Sequence, residues 1–200
     1  MRKIDTSRKA KIVLVAGSSG SGKSAWTKKQ ITRAARLIVW DIEGEYSDTI
    51  KGIKTINKIS DLARELKKTV RGKFAFVGNK GDFDAFCRCV FAWGDCVCVV
   101  EELAGVTTPA KAPDAWHTLV SRGRKYGIEI FAITQRPAES DKTIFGNATV
   151  IHVGRLTRGS DRAYMAREMD LPQAELDALK PLEWIERYQS GEKKAGKVTF

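Results

Sequence analysis

The chain has 200 residues, 42% of them hydrophobic, which suits one domain with a full core. No apolar run approaches the roughly 20 residues of a membrane span, and the basic opening Met1-Arg2-Lys3-Ile4-Asp5 lacks an apolar signal core, so the expectation is a soluble, intracellular protein without a membrane span. The formal net charge of +11 points to a polyanionic partner, nucleic acid before others, although the same surplus also serves solubility.

The first predicted strand is 11–16, with the apolar run Ile12-Val13-Leu14-Val15-Ala16. It leads into Gly17-Ser18-Ser19-Gly20-Ser21-Gly22-Lys23-Ser24, a match to G-x-x-x-x-G-K-[ST], and Ala25–Gln30 can continue as a helix. Strand, glycine loop and helix together form the context that a phosphate-binding loop requires. Glycines let successive backbone N–H groups turn toward phosphate oxygens, and the helix N-terminus adds a partial positive charge. Lys23 suits the β- and γ-phosphates, and the Ser24 hydroxyl suits Mg²⁺. The nucleotide-binding candidates are therefore Gly17, Ser18, Ser19, Gly20, Ser21, Gly22, Lys23, Ser24 and Ala25, with ATP and Mg²⁺ as the ligands.

A second strand is predicted at 37–41, ending in Asp41 and followed by Ile42-Glu43-Gly44-Glu45-Tyr46-Ser47. An acid at that strand end can face a bound nucleotide or a subunit interface. Helical spacing at Ile59, Leu62, Ala63 and Leu66 marks 59–69, Phe74-Ala75-Phe76-Val77 is a third strand, and 83–93 suits a buried helix. The fourth strand, 96–100, alternates Cys96 and Cys98 with valine. With Cys87 and Cys89, these thiols have C-x-C spacing tighter than the usual zinc pairs and no nearby histidine, so they are expected in the core.

That strand ends in Glu101-Glu102. An acid there anchors Mg²⁺ through its water shell, the role expected of Glu101, and a second acid can orient and deprotonate the attacking water, the role expected of Glu102. Residues 103–115 form the longest evident loop. A basic turn follows, Arg122-Gly123-Arg124-Lys125, and then a fifth strand, 128–133, ending in Thr134-Gln135-Arg136-Pro137. The Gln135 amide can both donate and accept at the γ-phosphate or the water. Arg122 or Arg124 could act as a finger on a neighbouring subunit's nucleotide, or the turn could be a solvated or DNA-contacting surface. A sixth strand is predicted at 149–153, a helical stretch at 161–180, and a hairpin over Trp184–Phe200 turning near Ser190-Gly191-Glu192.

Strands alternating with helices predict a mostly parallel sheet covered on both faces, with ligands beyond the carboxyl ends of the strands. The basic residues are dispersed, with modest concentrations at 2–11, 51–73, 122–125, 155–167 and 193–197, which suits salt-sensitive backbone contact with DNA.

Asp41…Gly44-Glu45-Tyr46 resembles the D-x-x-G-E-Y segment of HerA-like translocases, and Gly123-Arg124-Lys125-Tyr126-Gly127-Ile128 followed by Thr134-Gln135-Arg136-Pro137 resembles the G-R-x-x-G-[IV]…[ST]-Q-R-P signature of the FtsK–HerA superfamily. The likeness covers about 11–155, and at this size the chain resembles the A32-type genome-packaging ATPases of icosahedral double-stranded DNA viruses, including phages with an internal membrane. The chain departs from the usual Asp-Glu pair by carrying Glu101 at its first position. The resemblance implies a three-layer α/β P-loop NTPase of RecA/ASCE type. It would be a single domain over 1–200, with a core at about 11–155 and a C-terminal extension at about 156–200. It further implies ATP hydrolysis coupled to translocation of double-stranded DNA by a homo-oligomer, typically a hexamer. Capsid portal or vertex proteins would be partners, and the location would be the host cytoplasm or a virion packaging vertex. By the same resemblance Lys23 and Ser24 hold nucleotide and Mg²⁺, Glu101 and Glu102 form the acidic motif, Gln135 senses the γ-phosphate, and Arg122 or Arg124 is the trans finger. Lys111, Arg155, Arg158 and Arg162 are candidate DNA contacts. A small nucleotide or metabolite kinase and a Zot-like phage morphogenesis protein are the alternative functions.

Overall fold

A computed structural model describes residues 5, 7, 9 and 11–199. Of the basic concentration at 2–11, Arg2, Lys3 and Arg8 lie outside the described residues, as does Phe200 at the end of the expected hairpin. Among the described residues nine strands form one sheet in the order β3-β4-β2-β5-β6-β1-β7-β8-β9. Seven of these are parallel: β1 (Ile12–Ala16), β2 (Arg36–Trp40), β3 (Ile53–Ile56), β4 (Gly72–Phe76), β5 (Val97–Val100), β6 (Glu129–Thr134) and β7 (Val150–Gly154). The last two, β8 (Glu183–Tyr188) and β9 (Lys193–Lys197), join antiparallel beside β7.

Alternation along the strands builds two apolar layers, because successive side chains leave opposite faces. Leu14, Ile38, Trp40, Phe76, Val100 and Ile130 enter one core, covered by α2 (Ile59–Lys68), α3 (Phe83–Trp93), α4 (Asp114–Arg122), α5 (Lys142–Asn147), α6 (Gly159–Glu168) and α7 (Gln173–Asp177). Val13, Val15, Val39, Phe131 and Ile133 enter the other, covered by α1 (Lys23–Ile31) and by Tyr46 and Ile50 of the β2–β3 connection. Cys87, Cys96 and Cys98 are buried in the first core and Cys89 is half-buried against it, and burial pushes the Cys87 and Cys98 thiols well up.

Four segments differ from the sequence reading. β3 is an edge strand hidden in a basic run, with Lys54 and Thr55 exposed and only its terminal isoleucines facing inward. The 103–115 loop is shorter than expected: Leu103–Gly105 makes a 3₁₀ turn, Thr108 and Lys111 form an isolated bridge, and α4 begins at Asp114 after Pro113. The 161–180 stretch is two helices, broken where Asp170 takes a left-handed conformation (φ 52°) ahead of Pro172. The hairpin turns at Gly191 (φ 87°) as expected, but it extends the main sheet. A buried cross-strand pair secures that junction: His152 Nδ1 lies 3.0 Å from Glu186 Oε1, and Tyr188 donates to Glu186 Oε2 at 2.6 Å. Trp26 of α1 stacks on the His152 ring at 4.0 Å, so the hairpin strand, the sheet and α1 are packed together.

Candidate nucleotide-binding site

Parallel strands bring their carboxyl ends to one edge, and there the loop Gly17–Gly22 connects β1 to α1. Pairing of Ala16 with Thr134, and of Val100 with Ala132, sets the glycine loop, Gln135 and Glu101 side by side across three neighbouring strands. Gly17 N–H donates to Thr134 O at 3.2 Å and Ser18 N–H to Arg155 O at 2.9 Å, tying the loop to both flanking strands. Glycine is required at two points. Gly22 has φ 91°, and a Cβ there would meet Val198 Cγ2 at 2.9 Å; a Cβ on Gly17 would meet Ser21 Oγ at 2.4 Å. No side chain caps the N-terminus of α1, and its first turn holds no acidic residue, so its free N–H groups and positive end face the cavity.

A cavity of about 250 Å³ opens at this point, lined by Ser19, Gly20, Gly22, Lys23, Ser24, Ala25, Glu45, Glu101, Gln135 and Leu182. A larger hollow of about 550 Å³ lies between α2 and α3, but apolar Leu66, Val70 and Trp93 dominate it and no set of phosphate donors converges there. Lys23, 8% exposed, donates to Ser18 O at 3.0 Å. Burial holds its pKa below the usual lysine range, opposed by the charges of Glu101, Glu102 and Glu45.

Glu101 receives two hydroxyl donors. Ser24 Oγ donates to Oε1 at 3.0 Å and Tyr46 Oη to Oε2 at 3.1 Å. Burial pushes its pKa up to about 7, against the lowering effect of both hydrogen bonds. Tyr46 has no exposed surface and is fixed in turn by Asp41, whose carboxylate accepts from Glu45 N–H at 2.9 Å and Tyr46 N–H at 3.0 Å. Burial likewise raises Asp41, and those backbone bonds oppose it. The strand-end acid of the D-x-x-G-E-Y segment therefore faces neither nucleotide nor solvent; it shapes a loop that brings Tyr46 to Glu101. Glu45 lines the cavity, while Lys28 holds its carbonyl at 3.0 Å.

Glu102 lies just outside the cavity lining, in a left-handed conformation (φ 50°), and its Oε1 accepts from Gln135 N–H at 3.4 Å. Gln135 itself lines the cavity. Arg136 turns away, donating from Nε to the buried Asp161 at 3.2 Å and pairing with Glu139. Arg122 and Arg124 are exposed at the start of β6, so the six-residue strand separates them by about 16 Å from the nucleotide edge of their own chain. Among the DNA-contact candidates, Lys111, Arg155 and Arg158 are exposed, whereas Arg162 is engaged with Asp177 at 2.5 Å and with the carbonyls of Leu156 and Thr157.

These donors fit a magnesium nucleotide: backbone N–H groups and one lysine for phosphate oxygens, and a serine hydroxyl beside a carboxylate for the ion. The chain is 34% identical over 175 residues to protein P9 of Pseudoalteromonas phage PM2, covering 83% of this chain and 78% of that protein. It belongs to the same family as that phage protein. No protein-family model matches the chain. Among solved structures, the genome-packaging NTPase B204 of Sulfolobus turreted icosahedral virus 2, in complex with ATP-gammaS, superposes with a TM-score of 0.77 at 16% identity, covering 95% of this chain and 98% of B204. The N-terminal domain of zonular occludens toxin from Neisseria meningitidis gives 0.51 at 15%, covering 95% and 94%. The fold is the three-layer α/β fold of these structures, the one that the resemblance in the sequence implies. Among the described residues no helix is long and apolar enough to cross a membrane.

Proposed function

We propose that the protein is the ATP-driven double-stranded DNA translocase that packages a viral genome, acting as a homo-oligomeric ring, with a hexamer as the expected form. The observation that carries this reading is the convergence of Lys23, Ser24, Glu101 and Gln135 on one cavity, in a chain related to a phage protein and folded like a genome-packaging NTPase. Lys23 and the N–H groups of Gly17–Ala25 bind the triphosphate. Ser24 and Glu101 would hold Mg²⁺, Glu101 through water, and the ion would neutralise charge on the β- and γ-phosphates. Glu102 serves as the base for the attacking water, with Gln135 between it and the γ-phosphate. Arg122 or Arg124 completes a neighbouring chain's site. The surplus of 35 Lys and Arg over 24 Asp and Glu favours DNA backbone contact, with the capsid portal or vertex as docking partner and the host cytoplasm or a virion vertex as location.

The test is steady-state ATP hydrolysis with and without duplex DNA across a salt series. DNA-stimulated turnover that fades as salt rises is expected. No hydrolysis at any DNA concentration, from a folded oligomer, overturns the proposal.

A further inference from the structure

We infer that the C-terminal hairpin supplies the nucleoside seat of the ATP site, with Leu182 as the surface on which the base rests. The inference depends on Gly17–Ala25 being a nucleotide site. Sheet order gives the cavity a direction. Glu101 follows β5 and Gln135 follows β6, on one side of the glycine loop, while Leu182 precedes β8 on the other side. The triphosphate terminus belongs at the end with Lys23, Glu101 and Gln135, so the nucleoside extends toward β7 and β8. Because β8 runs antiparallel to β7, pairing Trp184 with Gly154, the residue before β8 returns to the edge where β7 ends. Leu182 therefore stands at the phosphate-loop edge despite its distance in sequence, and it is the one large apolar side chain in the cavity lining among the described residues.

The hairpin is fastened to the phosphate loop itself. Val198 and Leu182 fill the space that a side chain at Gly22 would occupy. Val198 N–H donates to Leu182 O at 2.9 Å, and Lys29 of α1 donates to the carbonyl of Thr199 and to its hydroxyl at 3.2 Å. Leu182 also holds φ 69°, a left-handed conformation that a leucine adopts only where its surroundings impose it. Strain of this kind is concentrated at ligand clamps, and here it aims a half-buried leucine at the cavity. Pro181, Arg155 and Thr157 border the outer side of Ser18–Ser21 at the same end. A flat purine offers a face to such an aliphatic surface, and phosphates do not.

Leu182→Gly is the informative variant, because glycine takes a positive φ without strain and leaves the chain path intact while removing the side chain. Binding of ATP and of inorganic tripolyphosphate, both with Mg²⁺, is measured by calorimetry on the full chain. The expected result is about tenfold weaker ATP binding with tripolyphosphate affinity unchanged within about twofold. Leu182→Met, which keeps an apolar surface, should restore ATP binding to near the original. Unchanged ATP affinity in Leu182→Gly, or equal losses for ATP and tripolyphosphate, overturns the nucleoside seat. A wild-type chain that binds neither ligand overturns the nucleotide site itself, a separate outcome.

Discussion

Replacing Tyr46 with phenylalanine removes one hydroxyl from a fully buried ring and leaves the packing intact. That hydroxyl donates to Glu101 Oε2 at 3.1 Å, one of two bonds opposing the burial that holds Glu101 near 7. A hydrogen bond to an ionised partner contributes about 1.5–3 kcal/mol, and one pKa unit corresponds to about 1.4 kcal/mol, so Tyr46→Phe should raise Glu101 by about one unit or more. The sign follows from the acid. A carboxyl already raised by folding is charged only above its folded pKa, and losing a donor to the charged form moves that threshold higher. Below about 7 the wild-type site holds a neutral acid that cannot serve Mg²⁺, and in Tyr46→Phe the same deficit extends about one unit further up. The assay is kcat/KM for magnesium ATP from about pH 6 to 9.5, which reports the free enzyme. The acid limb should shift upward by about one unit, with activity recovering toward wild type at about pH 9, and more Mg²⁺ should be needed at about pH 7.5. Stability moves with the same sign: the raised pKa makes the fold lose stability as pH rises from about 4.5 through 7, and the variant continues losing it at higher pH. A uniform loss of activity at every pH, with the acid limb unmoved, would refute the reasoning and leave Tyr46 a packing residue.

Three further substitutions test the catalytic assignments. Glu102→Gln should bind ATP with unchanged affinity but lower turnover by about 10²-fold or more, the scale of a lost general base; near-normal single-turnover rates would remove Glu102 from that role. Arg122→Ala and Arg124→Ala should lower turnover while preserving nucleotide affinity, since both side chains lie at the far edge of their own sheet. Mixing either with Lys23→Ala chains should restore part of the activity if the arginine acts across a subunit boundary, and absence of complementation would assign these residues a local role.

The legible part of the site is the part written at strand ends. A strand followed by a glycine loop, an acidic pair or Gln-Arg-Pro has its position fixed by the parallel sheet, so Lys23, Ser24, Glu101 and Gln135 converge as the sequence implies. Arg136 reads as part of the same signature but faces Asp161 on α6, because the strand ends there and Pro137 turns the chain. The role of Tyr46 was hidden for a different reason. Its motif was visible, but the link to Glu101 depends on the Asp41 carboxylate folding the intervening loop back on itself. Leu182 had no local signal, since an antiparallel return from β7 is what places it at the loop. The helix α4 carries its own signal, with apolar Ala115, Trp116, Leu119 and Val120 at helical spacing.

The charge inside the cavity bears on the proposed ring. Among the described residues its lining contains one cation, Lys23, and two carboxylates, Glu45 and Glu101, with Glu102 near enough to act on Lys23. A triphosphate brings several more negative charges to a site whose fixed charge is already negative. The backbone N–H groups of the glycine loop and Mg²⁺ would offset the β-phosphate end, but among the described residues no guanidinium lines the cavity to meet charge developing on the transferring group, and Arg136 is committed to Asp161 and Glu139. A lone chain should therefore bind ATP better than it hydrolyses it. Bringing an exposed arginine turn from a second copy to this edge would change turnover far more than affinity, which is the behaviour required of a motor that fires only when its neighbours are in place.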